Sequence, residues 1–113
     1  MAWYVGIAES NVTSAVVDAA AGTQTEIVAT PGAGKQIWVY GYDIGFDAAG
    51  TMKWQSANTD LSEPIPRAQN GGSAPYSSNI DLPIFKCATN EALNITTVTA
   101  AVTGIVTYRV VGI

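Results

Sequence analysis

The chain has 113 residues, a formal net charge of −4, 48% hydrophobic residues and only 12% charged ones, about half the charge of an ordinary soluble domain. This length fits one domain, able to bury roughly 65% of its unfolded surface in a single core. The five cations, Lys35, Lys53, Arg67, Lys86 and Arg109, are scattered along the sequence, so the clustered charge that drives nucleic-acid binding is missing, as is a patch for an anionic membrane.

The opening "MAWYVGIAESNVTS" lacks the positive n-region and long apolar run of a secretory signal, and no segment reaches the roughly 20 apolar residues of a membrane span. The apolar, aromatic "AWYVGI" at 2–7 needs a surface to lie on, because termini left in solvent are usually polar. Trp3 and Tyr4 are therefore expected either on an added strand of the same sandwich or on another chain. Residues 1–13 read as an N-terminal arm and 14–113 as a single β-sandwich domain.

The Ala-rich "AVVDAAAG" at 15–22 is too short, and too poor in Lys, Arg and Glu, to support a helix. Strands are expected at 14–20, 23–30, 36–47, 50–57, 60–66, 81–88, 91–99 and 103–111, each rich in Val, Ile, Thr or aromatics and bounded by Gly, Pro, Asn or Asp. "PGAGK" at 31–35 looks like the end of a phosphate loop, but Ala29 stands where the first glycine belongs and Gln36 where the hydroxyl should be. The residues that follow favour a strand, not the helix such a loop must open. It reads as a turn.

In the strand from Gln36, Trp38, Tyr40, Tyr42, Ile44 and Phe46 fall on one face, while Ile37 and Val39 begin the other. One face fits the core, and the other needs a cover, either the loop 67–79 or a neighbouring subunit. In 50–57, Met52 and Trp54 are expected inward and Thr51, Lys53 and Gln55 outward. Pro64 and Pro66 confine 60–66 to a sheet edge. Leu93 and Ile95 oppose Asn94 and Thr96 in the same way. Eight strands without a helix imply an all-β fold, a two-sheet antiparallel sandwich of jelly-roll type.

The chemistry-bearing residues are few. With no histidine and a single cysteine, Ser-His and Cys-His nucleophiles and a structural zinc site are excluded. Cys87 can form no intrachain disulfide and, within "LPIFKCA", reads as a buried, inert thiol, as suits a reducing cytoplasm. Asp47, Asp60, Glu63 and Asp81 fall near strand ends, where solvated turn carboxylates are normal, so a hydrolytic carboxylate pair is not demonstrated. There is no Asp-x-Asp-x-Asp-Gly calcium loop. The sequons at Asn11 and Asn94 lack a secretory context. No catalytic residue, cofactor or metal is expected.

Three stretches carry a resemblance: "PGAGKQIWVYGYDIGFDAAGTMKWQS", the Gly-rich loop "AQNGGSAPY" and the closing "ATNEALNITTVTAAVTGIVTYRVV". In these, over roughly residues 23–111, the chain resembles small β-sandwich virion proteins of tailed bacteriophages. The resemblance implies a non-enzymatic capsid decoration or cement protein, often trimeric, bound to the major capsid protein or other virion subunits, made in the host cytoplasm and located in the virion. The expected contact residues are Trp3, Tyr4, Trp38, Tyr40, Tyr42 and Tyr76. Two rivals remain. One is a receptor- or carbohydrate-binding sandwich of a phage tail or fibre, with Trp38 or Tyr76 stacking on sugar rings; the other is a carboxylate hydrolase.

Overall fold

The computed structural model describes residues 12–113, and Trp3, Tyr4 and most of the expected arm lie outside them. Among the described residues there is no helix. The first five strands are β1 (Thr13–Ala19), β2 (Gln24–Val28), β3 (Lys35–Phe46), β4 (Gly50–Ser56) and β5 (Thr59–Asp60). Then follow β6 (Ile65–Arg67), β7 (Gly72–Ser73), β8 (Phe85–Lys86), β9 (Leu93–Val98) and β10 (Val102–Gly112).

Every pairing is antiparallel, in two sheets. The front sheet runs β1-β10-β3-β7, with β8 also on β3; the back sheet runs β2-β9-β4-β5, with β6 also on β4. When β5 and β6 are counted as one broken strand, and β7 and β8 as another, this is the eight-strand jelly-roll order. The ten strands observed against the eight expected come from those two breaks.

The first break lies at the back-sheet edge. Pro66 sits in β6, outside β4, where a residue without an N–H costs no ladder bond. Between β5 and β6 the Ser62 hydroxyl accepts from Trp54 N at 3.0 Å, and Leu61 N donates to Trp54 O at 2.8 Å. The second break opens a loop out of the β3 edge. Residues 71–76 and 84–87 run along β3, with Tyr42 N donating to Pro75 O at 3.2 Å and Ile84 N to Val39 O at 2.8 Å. Most of 81–88 is therefore irregular rather than strand, because residues 77–83 loop out opposite Tyr40.

Tyr40 is also where the expected facing of β3 fails. Thr107 pairs with Gly41 and Tyr108 with Val39, so Tyr40 has no partner on β10. One extra residue resets the side-chain phase. Before the bulge Ile37 and Val39 are fully buried; after it Tyr42, Ile44 and Phe46 are buried in the same cluster. Trp38 points outward. An unbroken period of two had grouped it with Tyr42, and the bulge separates them.

Opposite these, Met52, Trp54, Leu93 and Ile95 point inward from the back sheet as the alternation requires. The Trp54 ring lies 5.1 Å from Tyr42 and 6.1 Å from Phe85. The turn before β3 has positive φ at Gly32 and Gly34, and Lys35 N donates to Gly32 O at 3.2 Å. "PGAGK" therefore opens a strand, and one of its amides, Gly32 N, is taken by Asn90 Oδ1 at 3.0 Å.

Candidate functional site

The outer faces of the two sheets differ in polarity. On the back sheet Gln24, Lys53, Gln55, Asn94 and Thr96 face outward and bond to one another or to the adjoining turns. Gln24 Nε2 donates to Gln55 Oε1 at 2.9 Å, Thr96 Oγ1 donates to the same oxygen at 2.6 Å, and Gln55 Nε2 donates to Asp60 Oδ1 at 3.0 Å. Lys53 Nζ lies 3.1 Å from the Asp60 carboxylate. The Gln55 hydrogen bond, then Lys53, hold the Asp60 carboxyl below its ordinary range. Most of this face is polar and internally bonded, although Asn94 Oδ1 is buried without a partner and Val98 is exposed at its end.

The front sheet is built otherwise. Antiparallel register aligns Val16 with Ile105 and Asp43 in one row, and Ser14 with Thr107, Gly41 and Tyr76 in the next. Val16 is 73% exposed, Ile105 47% and Tyr76 78%, so three large apolar side chains stand in water on neighbouring strands. Ile105 and Tyr76 border a cavity of about 460 Å³ whose lining also includes Tyr40, Gly41, Asp43 and Thr107. Gly41 makes its floor possible, since a Cβ there would come within 2.8 Å of Tyr76 Cβ and 3.0 Å of Pro75 O.

One row further along, Arg109 pairs with Trp38 and Trp38 with Lys86. Lys86 Nζ sits 4.3 Å from the Trp38 ring centroid and the Arg109 guanidinium 5.5 Å from it. These contacts hold two cations against one aromatic face. The indole N–H donates to Gln36 Oε1 at 3.2 Å, and Gln36 Nε2 donates to Cys87 O at 3.0 Å.

The expected contact residues thus separate. Tyr76 is fully available and Trp38 half-buried, both on the front face. Tyr42 belongs to the core and Tyr40 is 1% exposed, so in the folded chain neither offers a free ring. The 77–83 excursion covers Tyr40, whose hydroxyl donates to Ile80 O at 2.6 Å. Burial raises the Tyr40 phenol above its ordinary range, against the nearby Arg109 charge and with Asp81 adding to the rise. The cover over Tyr40 is the 77–83 excursion rather than the body of the expected loop 67–79, which runs along the β3 edge at 71–76, and the cavity beside it stays open. Val16, Asp43, Lys86, Ile105 and Arg109 are the front-face residues that the sequence reading missed. For Val16 and Ile105 the signal was the doubled apolar pairs "VV" at 16–17 and "IV" at 105–106, which put a hydrophobe on each face of the strand; the placing of Asp43, Lys86 and Arg109 depends on register alone.

A second cluster lies at the far end of the core. Ser56 Oγ donates to Glu91 Oε1 at 2.6 Å and accepts from Ala88 N at 2.8 Å. Burial pushes the adjacent Cys87 thiol up to about 11, with the Ser56 hydrogen bond opposing and Glu91 adding to the rise. This is a neutral thiol beside a capped turn, not an activated nucleophile.

Comparison of the chain with protein-family models, curated proteins and solved structures returned no match.

Proposed function

We propose that the chain is a non-enzymatic structural protein of a phage virion, a capsid decoration or cement protein that works through contacts between subunits. The observation that carries this reading is the contrast between the outer faces: a back sheet whose outward residues are mostly polar and bonded to one another, with Val98 exposed at its end, and a front sheet that exposes Val16, Ile105 and Tyr76, the last two bordering a cavity. Contiguous apolar surface of this kind marks a contact site. An exposed apolar group on one outer face suits a protein held against others, and binding to a shell stabilises both partners by mass action. The resemblance to small virion sandwiches supplies the shell, with the major capsid protein or other virion subunits as partner and a homo-oligomer as working form. In this reading Trp3 and Tyr4 add a further contact, so replacing both by Ala lowers particle occupancy while the isolated fold stays stable.

Quantitative mass spectrometry of density-banded particles from the phage that encodes the chain tests this reading. A fixed copy number per head, lost when Ile105 or Tyr76 is replaced by Lys, is the expected result; absence from banded particles refutes it.

The cavity beside Tyr76 favours one second reading, a carbohydrate-binding sandwich of a tail or fibre. Its volume is in the range of small-ligand pockets, and an exposed tyrosine beside the Asp43 carboxylate offers a stacking surface and an acceptor. Saturable glycan-induced shifts confined to Tyr76, Asp43 and Thr107 would favour it over the shell.

A further inference from the structure

We propose that the outer face of the front sheet is a two-fold interface, occupied by a second copy of this chain with its strands reversed, so that Asp43 of each copy meets Lys86 and Arg109 of the other. The inference rests on reading this face as a contact surface and names its occupant.

The argument is the order of the rows. Along β10 the outward positions pair in turn as Thr103 with Asp18, Ile105 with Val16 and Asp43, Thr107 with Ser14 and Gly41, and Arg109 with Trp38. Lys86 extends the last row through Trp38. The face therefore carries its acids toward one end, Asp18 and then Asp43 in the row of Val16 and Ile105, and its cations Arg109 and Lys86 toward the other, with the Ser14–Thr107–Gly41 row between them. Two carboxylates lie near the basic end among the described residues: Asp81, on the excursion that covers Tyr40, and Glu91, which bonds the Ser56 hydroxyl beside the inward-facing Cys87. Asp43 and Arg109 stand two rows apart, roughly 13 Å at strand spacing.

A two-fold axis lying in the interface, across the strands at the Thr107–Gly41 row, interchanges those two rows between copies. It leaves each strand over its own equivalent, so β3 lies on β3 and Asp43 comes to the Trp38 and Lys86 of the other copy. It also brings the two Tyr76 side chains together on the axis and lays Ile105 of each copy over the row of Arg109 and Trp38 of the other. A self-complementary patch is what an isologous contact needs, and face-to-face packing of sheets is a standard way to cover one. A three-fold arrangement does not use this symmetry, because it joins unlike patches head to tail.

The test is solution mass and affinity of the full chain by sedimentation, with Asp43→Lys, Lys86→Glu and the combined swap. All alter exposed side chains, and thermal melts verify that each variant folds. Wild type is expected as a dimer. Each single reversal weakens it about tenfold and the swap recovers part of that loss, because the 43–86 pair is re-formed with opposite sign while Arg109 is left facing a like charge. An independent check is Thr107→Cys, which lies beside the axis and should give disulfide-linked dimers on oxidation. A monomer or a trimer at all concentrations overturns the inference. So does a dimer that the swap does not rescue, or one in which Cys at 107 fails to cross-link. A chain that is monomeric in solution yet present on particles overturns this inference and leaves the shell reading standing; a two-fold dimer absent from particles does the reverse.

Discussion

Replacing Trp54 by Ala removes the largest fully buried side chain of the core, one that is 0% exposed and lies between Tyr42 and Phe85. Both neighbours are held by backbone pairing, Tyr42 to β10 and Phe85 to β3, so the walls of the cavity have little room to collapse. Core aromatic losses of this kind cost about 3–5 kcal/mol. For a domain of this size each kcal/mol lowers Tm by about 4 °C, which makes the expected drop about 12–20 °C. The indole N–H of Trp54 finds no acceptor among the described residues. Trp54→Phe therefore keeps a ring between the same neighbours, loses no hydrogen bond, and should cost about 1–2 kcal/mol. Chemical denaturation of the three chains, compared at equal m-value, measures both differences. A cost below about 1 kcal/mol for Trp54→Ala would refute the placement of this ring at the centre of the core. Equal costs for Ala and Phe would show that the N–H has a partner after all.

Three further outcomes follow from the packing. Gly104 has φ +151, and a Cβ there would run into the Asp43 carbonyl oxygen, so Gly104→Ala must push β10 off β3 and should lose about 3–5 kcal/mol in a urea titration. Tyr40→Phe deletes the donor to Ile80 O; a loss of about 1–2 kcal/mol is expected, together with faster amide exchange in the 77–83 excursion and unchanged exchange in β9. Cys87 should resist alkylation at pH 8 in the folded chain and react fully in denaturant. Because burial raises its pKa, the unfolded thiol ionises first, so stability is complete below the ordinary thiol range and declines as pH rises from there toward about 11. Cys87→Ala should flatten that alkaline decline in a pH series of melts.

The sequence reading reached as far as its signals were local. Turn chemistry at Pro31, Gly32 and Gly34, and alternation through Met52, Trp54, Leu93 and Ile95, are short-range patterns, and the long strands β1–β4, β9 and β10 and the back-sheet core fall where they put them. The aromatic stripe of β3 was misread because a bulge leaves no mark in composition; it appears only when β3 is set against β10. Gly72–Ser73 was read as loop because a two-residue strand takes its geometry from the β3 edge, not from its own residues. The front-face patch was illegible for the same kind of reason. Val16, Ile105 and Tyr76 are far apart in sequence and come together only through register.

The bulge at Tyr40 also bears on how this protein can diverge. Since one unpaired residue sets which half of β3 faces inward, substitutions at Trp38 change the surface and leave the interior undisturbed. Substitutions at Tyr42 or Ile44 do the opposite. A single-residue deletion at position 40 would instead exchange the two roles along half the strand, sending Trp38 into a space shaped for Ile37 and Val39. Homologues that bind different partners should therefore vary freely at the outward positions of this strand while keeping its length fixed.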